Sequence, residues 1–316
     1  MSAPVAIVGA GSIGVSWAIV FARAGHPVRV QDPDPQRRAA VAEEIAARLA
    51  QLDAAGLLDD APDAIAARVT VAADLAAAVA RAAHVQECAP ERLDLKRELF
   101  AQLDALAAPD AVLASSSSAI MASAIAGDLP GRARCLVVHP GNPPHLVPVV
   151  EVVPAPFTDA AVVDRTVALL ELAGQSPIVV RREIEGFVFN RLQGALLREA
   201  YCLVRDGVAS VDEVDRVVRD GLGRRWAFIG PFETADLNTR GGIASHAEKL
   251  GPAYARMGAD RGQDDPWTPE LVAEVTAQRR ALLALEDWDE RVAWRDQALI
   301  ALERARRDLA GKGDGP

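Results

Sequence analysis

Residues 5–25 read VAIVGAGSIGVSWAIVFARAG. Four apolar residues run into Gly9-Ala10-Gly11-Ser12-Ile13-Gly14. An apolar run of helical period follows and closes at Gly25. A G-x-G-x-x-G segment standing alone says little, because glycine-rich turns are common. Placed between a strand and a helix it has a mechanism. Gly9 permits the tight turn, Gly11 lets backbone approach a pyrophosphate, and Gly14 lets the helix pack on the strand. The amides of Ser12 and Ile13, at the positive end of the helix, then face the phosphates. The second strand, PVRVQD, ends at Asp32, near the spacing at which an acid meets the adenosine ribose. A carboxylate there repels a 2'-phosphate and favours NAD, while the neighbouring Arg37 and Arg38 leave NADP admissible. The competing reading is a doubly wound domain that binds no nucleotide. Strand, turn, helix and acid together speak against it.

Outward from this unit the alternation continues. A long Ala/Arg/Glu helix covers about residues 35–55, and VTVAAD, AHVQEC and AVLASS read as strands, with LKRELFAQLDALA as a helix between the last two. RCLVVHP and VVEVVP are two further β-rich runs. Strands alternating with helices predict an α/β fold, a Rossmann-type doubly wound sheet with helices on both faces. After about residue 185 the β-branched runs stop and the pattern turns helical. SVDE at Ser210 has capping-box form, and the tail carries two helical stretches, 267–288 and 291–309. The predicted domains are therefore 1–185, cofactor-binding, and 186–316, all-helical.

The 316 residues are 50% hydrophobic and 25% charged, enough for a full-sized core. A net charge of -10 repels phosphate backbones, which argues against nucleic acid as a partner. No basic, apolar leader opens the chain and no apolar run reaches the roughly 18 residues of a membrane helix. Three scattered cysteines form neither a disulfide framework nor a zinc pattern. A reduced, cytoplasmic protein with no metal is expected.

The chemistry-bearing residues cluster after predicted strands. His139 ends RCLVV and begins HPGNPPHLVPVVEVV, at a strand carboxyl end where α/β ligands bind. Alone it reads equally as a structural histidine. Glu151 sits in the next β-rich run, which can fold back beside the first. A carboxylate on one ring nitrogen would fix the tautomer and raise the basicity of the other. Without that partner Glu151 is a strand residue of no particular role. The run Ser115–Ser118 follows AVLA and reads by default as a solvated loop. Asn190, in GFVFNR, is by itself a polar residue near a helix start.

Taken together, VQECAPERLDLKRELFAQLD, HPGNPPHLVPVVEVVP, GFVFNRLQ and DGLGRRWAFIGPFETADLN resemble the 3-hydroxyacyl-CoA dehydrogenase family over nearly the whole chain. Within it they look like the lambda-crystallin / L-gulonate 3-dehydrogenase branch. The acyl-CoA enzymes carry HFFNP where this chain has HPGNPP. The resemblance implies His139 as general base, Glu151 as its orienting partner, and Ser118 and Asn190 as the groups that hold the substrate oxygen. It implies NAD contacts at Gly9, Gly11, Ser12, Ile13, Gly14 and Asp32, further positions near the cofactor at Glu87, Lys96 and Asn142, and a substrate-facing Arg225. It also implies a homodimer formed through the helical domain. This chain departs from the branch at Gly141, where a valine or isoleucine is common, and at His145 and Leu146, where two tyrosines are usual. The expected reaction is NAD-dependent oxidation of a 3-hydroxy carboxylate, L-gulonate first. Carnitine, 3-hydroxybutyrate or a 3-hydroxyacyl-CoA is the alternative substrate. A non-catalytic, crystallin-like NAD-binding protein is the alternative of another class, and the intact Ser118, His139, Glu151 and Asn190 set argues against it.

Overall fold

The computed structural model describes residues 3–227, 230–238, 242–261, 270, 277, 281 and 284–310. By its internal contacts the chain forms two units: Met1–Arg191 together with Ala293–Pro316, and Leu192–Val292.

The first unit is built on eight strands: β1 (Val5–Val8), β2 (Val28–Gln31), β3 (Val69–Val71), β4 (His84–Glu87), β5 (Val112–Ser115), β6 (Cys135–Pro140), β7 (Val149–Pro154) and β8 (Ser176–Val179). They form one sheet in the order β3-β2-β1-β4-β5-β6-β7-β8. All pairs are parallel except β6 with β7. The strand order reverses between β1 and β4, which opens a crevice at their carboxyl ends. Seven of the eight strands are those the sequence pattern predicts. β8 was not expected: it is the edge strand, it contains Pro177, and Ile178 and Val179 are exposed, so its residues lack the buried-strand signature.

Period-two alternation divides β1 between two cores. Val5 and Ile7 pack on one face, Ala6 and Val8 on the other. The first core is covered by α1 (Ser12–Arg23) and α2 (Pro35–Ala54). The latter presents Val41, Ile45, Leu49 and Leu52 at helical spacing. Trp17 and Phe21 on α1 are both fully buried and stack at 5.3 Å. The second core is covered by α5 (Leu93–Leu106) through Phe100 and Leu103.

In the second unit α8 (Phe189–Arg205), which starts in the first, is followed by α9 (Val211–Arg216). The capping box at Ser210 is present: its hydroxyl accepts from the Glu213 amide, and Glu213 Oε2 accepts from the Ser210 amide at 2.8 Å. A π-helical turn (217–222), α10 (Gly223–Trp226), α11 (Pro231–Asn238), α12 (Gly242–Arg261) and a 3-10 turn (Leu285–Asp287) follow. The predicted helix over 267–288 lies largely outside the described residues. The last helix, α13 (Trp288–Ala310), differs from the expectation that the tail belongs to the helical domain. From residue 293 it joins the first unit, where Ile300 is buried in the core alongside α1 and α2. Amphipathic period announces an apolar face but not which core the face will cover.

Candidate active site

The glycine turn has the geometry its sequence implies. Gly9 has φ +105°, and a Cβ there would lie 2.8 Å from the Cys88 carbonyl on the loop after β4. A Cβ at Gly14 would sit 1.9 Å from the Gly9 carbonyl oxygen, so only glycine lets α1 approach its own strand so closely. At Gly11 a Cβ would meet no protein atom within 4 Å. That residue is exposed, and its missing side chain leaves open the space above the turn. No side chain caps α1, and its first turn holds no acid, so the Ser12 and Ile13 amides have no helical partner. An open, uncapped, amide-lined turn fits a dinucleotide pyrophosphate.

Asp32 stands beside this turn. Its Oδ2 accepts from the Ala10 amide at 2.7 Å and its Oδ1 from the Asp34 amide at 2.9 Å. A carboxylate has about four acceptor positions, so two remain for ribose hydroxyls. The two nearby arginines are committed elsewhere. Arg37 donates to the Ala10 carbonyl and pairs with Glu44 at 2.9 Å, and Arg38 donates to the Asp32 and Pro33 carbonyls.

The pairing of His139 with Glu151 is set by the sheet. β6 and β7 are antiparallel with His139 opposite Glu151, which places both side chains on one face. His139 Nδ1 and Glu151 Oε2 lie 2.8 Å apart, and both residues are buried. The other carboxylate oxygen, Oε1, accepts from the Val188 amide at 2.7 Å and the Phe189 amide at 2.9 Å. Burial raises the Glu151 carboxyl, but the hydrogen bonds from His139, Phe189 and Val188 outweigh it and hold the group below the usual carboxylate range. An ionised Glu151 accepts only, so Nδ1 carries the proton and Nε2 is left to accept one. Phe187 shapes this arrangement. Gly186 and Phe187 both have positive φ, +75° and +48°, and the reversal turns the next two amides onto Glu151. The Phe187 ring is fully buried 5.7 Å from the imidazole, and the Phe189 ring meets the imidazole edge-on at 6.2 Å.

Asn190, next along α8, donates from Nδ2 to the Ser118 carbonyl oxygen at 2.8 Å. Ser118 is exposed just past β5, the parallel neighbour of β6. His139, Glu151, Asn190 and Ser118 thus form one bonded cluster at the edge of the sheet where β5 and β6 end and β7 begins. Asn142 is exposed in the loop after β6, joined to Pro143 by a cis peptide. At Gly141 a Cβ would come within 2.5 Å of Val147 Cγ1, so Val147 fills the space that a larger residue at 141 would need. Arg225 is exposed on α10 in the second unit.

Glu87 and Lys96 stand beside the glycine turn, at the end of β4 and on α5. Both are fully enclosed and form an ion pair at 2.8 Å, with Ser115 Oγ donating to Glu87 at 2.5 Å and the Ala89 amide at 2.6 Å. This pair braces the loop after β4, opposite Gly9, and neither side chain has surface to offer a ligand. The acid bonded to the serine loop is Glu91, which the sequence reading passed over. Its Oε1 accepts from Ser117 Oγ at 2.5 Å and from the Ser118, Ala119 and Ile120 amides at 3.0, 3.1 and 3.3 Å. Burial raises its carboxyl, but the Ser117 hydroxyl, the Lys96 charge and these amides bring it below the usual range. Glu91 therefore holds the loop that presents Ser118. Two acids four residues apart in ECAPE gave no cue to which one is enclosed.

Comparison with known proteins gives this geometry a context. Residues 4–184 match the 3-hydroxyacyl-CoA dehydrogenase NAD binding domain, and residues 186–282 match the C-terminal domain of the same enzymes. The chain belongs to the 3-hydroxyacyl-CoA dehydrogenase family. Within that family it is 42% identical to the lambda-crystallin homolog of Bos taurus, over 98% of each chain. It is 41% identical to an L-carnitine dehydrogenase of Streptomyces griseus, over 95% of this chain and 89% of that one. Among solved structures, an NAD+ dependent dismutase, 5-formyl-3-hydroxy-2-methylpyridine 4-carboxylic acid 5-dehydrogenase, superposes with a TM-score of 0.84 at 27% identity, over 96% and 98% of the two chains. Family membership makes this an NAD-dependent dehydrogenase acting on a hydroxy acid CH–OH group. Among the described residues no helix is long and apolar enough to cross a membrane.

Proposed function

We propose that the substrate is a free 3-hydroxycarboxylate, with L-gulonate oxidised to 3-dehydro-L-gulonate as the leading case. The observation that carries the reading is the 2.8 Å contact between His139 and Glu151, bonded through α8 to Asn190 and Ser118. NAD, when bound, accepts a hydride from the carbinol carbon. The protein's own residues handle everything else. The turn at Gly9–Gly14 and Asp32 would hold the cofactor. His139 Nε2 takes the hydroxyl proton as the carbonyl forms, and Glu151 stabilises the resulting imidazolium through Nδ1–H. Ser118 and Asn190 orient the reacting oxygen. Arg225 is assigned to the substrate carboxylate on the family resemblance.

A free acid is supported by the L-carnitine dehydrogenase, named for a free 3-hydroxy acid and 41% identical over 95% of this chain. A 3-hydroxyacyl-CoA dehydrogenase of Gibberella moniliformis, 35% identical over 97%, keeps the CoA ester as the alternative. The similarity to the L-carnitine dehydrogenase supports L-carnitine as the second reading, since His145 and Leu146 stand where the gulonate branch carries tyrosines. The helical unit is assigned as a homodimer interface, supported by the exposed Leu192, Leu196 and Leu197 on α8. NADH formation measured across L-gulonate, L-carnitine, 3-hydroxybutyrate and 3-hydroxybutyryl-CoA tests the assignment. The highest kcat/KM is expected with L-gulonate, and turnover of the CoA ester alone would overturn the free-acid reading.

A further inference from the structure

A cavity of about 550 Å³ lies within the first unit, apart from the cluster around His139 and from the glycine turn. Its walls are the C-terminal half of α1, the loop after α2, the β6–β7 loop, the turn between α7 (Ala160–Leu172) and β8, and one face of α13. Its size is that of an ordinary small-molecule site.

One feature of the lining calls for a ligand, the pairing of Arg23 on α1 with Arg307 on α13. Arg23 Nη2 donates to the Leu57 carbonyl at 2.9 Å. Arg307 lines the same cavity and is paired with Glu303 at 3.3 Å. Asp59 and Glu303 also line the cavity. Burial, and then the Arg307 charge, press the Arg23 guanidinium below its ordinary value, and Asp59 and Glu303 offset this only in part. An oxyanion bridging two guanidinium groups would relieve their mutual repulsion.

The cavity also touches the catalytic hairpin. Pro144, His145 and Leu146 line it, in the loop that joins the His139 strand to the Glu151 strand. His145 Nδ1 lies 3.1 Å from Ser16 Oγ on α1, and Leu146 is packed into the core. This loop is continuous with both strands that carry His139 and Glu151.

We propose that this cavity is a second small-molecule site, taking a small oxyanion between Arg23 and Arg307, and that its occupant alters turnover through the loop 141–148. A carboxylate and a phosphate monoester share that chemistry, and L-lactate and glycerol 3-phosphate are the probes that distinguish them. Calorimetric titration of the NAD-loaded protein should show saturable binding of one probe at about 1 mM or tighter. Arg23→Gln should weaken that binding roughly tenfold, the scale of one charge-assisted hydrogen bond. His139→Gln should bind the probe as the parent does. Arg307→Gln, at a 40% exposed side chain, should weaken binding in the same direction and keep the test open if Arg23→Gln fails to fold. The bound probe should change kcat at saturating L-gulonate, or at the best substrate of the panel, in the parent and not in Arg307→Gln. Absence of saturable binding by either probe, binding lost in His139→Gln yet kept in the arginine variants, or an unchanged kcat on saturation would overturn the proposal.

Discussion

His139 and Glu151 are register partners across β6 and β7, and their side chains meet at 2.8 Å because the antiparallel pairing leaves them no other place to go. The carboxylate is in turn held by two amides at the start of α8. Glu151→Gln preserves shape and can still accept from those amides, but its NH2 then faces Nδ1 and favours the wrong tautomer of the imidazole. kcat/KM for hydroxy acid oxidation is expected to fall by roughly 10²–10⁴-fold, with NAD affinity measured by fluorescence nearly unchanged.

The glycine turn offers a pair of substitutions with opposite signatures. Gly11→Ala adds a methyl that meets no protein atom within 4 Å, so its cost should be only that of alanine for glycine at a helix N-cap, about 1 kcal/mol or less. The same methyl occupies the space above the turn, so NAD affinity should drop at least about tenfold. Gly14→Ala would press a methyl to 1.9 Å from the Gly9 carbonyl, and the expected result is loss of the folded protein. Calorimetry and NAD titration on both variants check the contrast.

Gly186 precedes Phe187, and both sit in the left-handed region where glycine is favoured. Gly186→Ala meets only ordinary contacts, the nearest 3.5 Å away, so its cost should be the backbone term of about 1 kcal/mol. Relaxation of that strain would draw the Val188 and Phe189 amides off Glu151. A lower kcat together with a slightly lower Tm is the expected outcome, whereas a fall in Tm with unchanged kcat would show that the turn does not position the pair.

Much of this was legible in the sequence, and the exceptions have physical causes. The β1-turn-α1 unit declares itself because its glycines and its acid have no cheaper explanation in that order. β6 and β7 declare themselves by β-branched runs, and their fold-back puts His139 and Glu151 together. β8 stayed hidden because an edge strand with Pro177 and exposed Ile178 and Val179 carries no burial pattern. The tail helix was legible as a helix but not as part of the first unit, since its partner core is long-range information. Glu87 and Glu91 look alike in sequence. Only the register of β4 beside β5 shows that the first is enclosed with Lys96 and Ser115, while the second holds the Ser118 loop. Gly141 reads as a departure until Val147 is seen to occupy its space.

His84 on β4 gives the protein an acid-sensitive core. It is 2% exposed, its Nε2 lies 3.0 Å from Gln86 Oε1, and its Nδ1 has no partner. Burial, only partly opposed by the Gln86 hydrogen bond and assisted by the His26 charge, lowers its pKa from 6.5 to about 4. The unfolded chain therefore takes up this proton before the folded one does. Stability is fully present above pH 6.5 and declines as the pH falls from there to about 4. The loss approaches about 3 kcal/mol, the free energy of a shift of that size. Urea denaturation across this range should show a shallower pH dependence for His84→Asn than for the parent, and equal slopes would contradict the assignment.

The central claim is that His139 is the base. The direct measurement is single-turnover NADH formation by His139→Gln at saturating L-gulonate, or the best substrate of the panel, alongside NAD titration of the same variant. With His139 as the base, the chemical step should be slower by about 10³-fold or more, at the upper part of the range for general base catalysis, and NAD affinity should stay within about twofold of the parent. A variant that binds NAD normally and still turns over at most of the parent rate would contradict it.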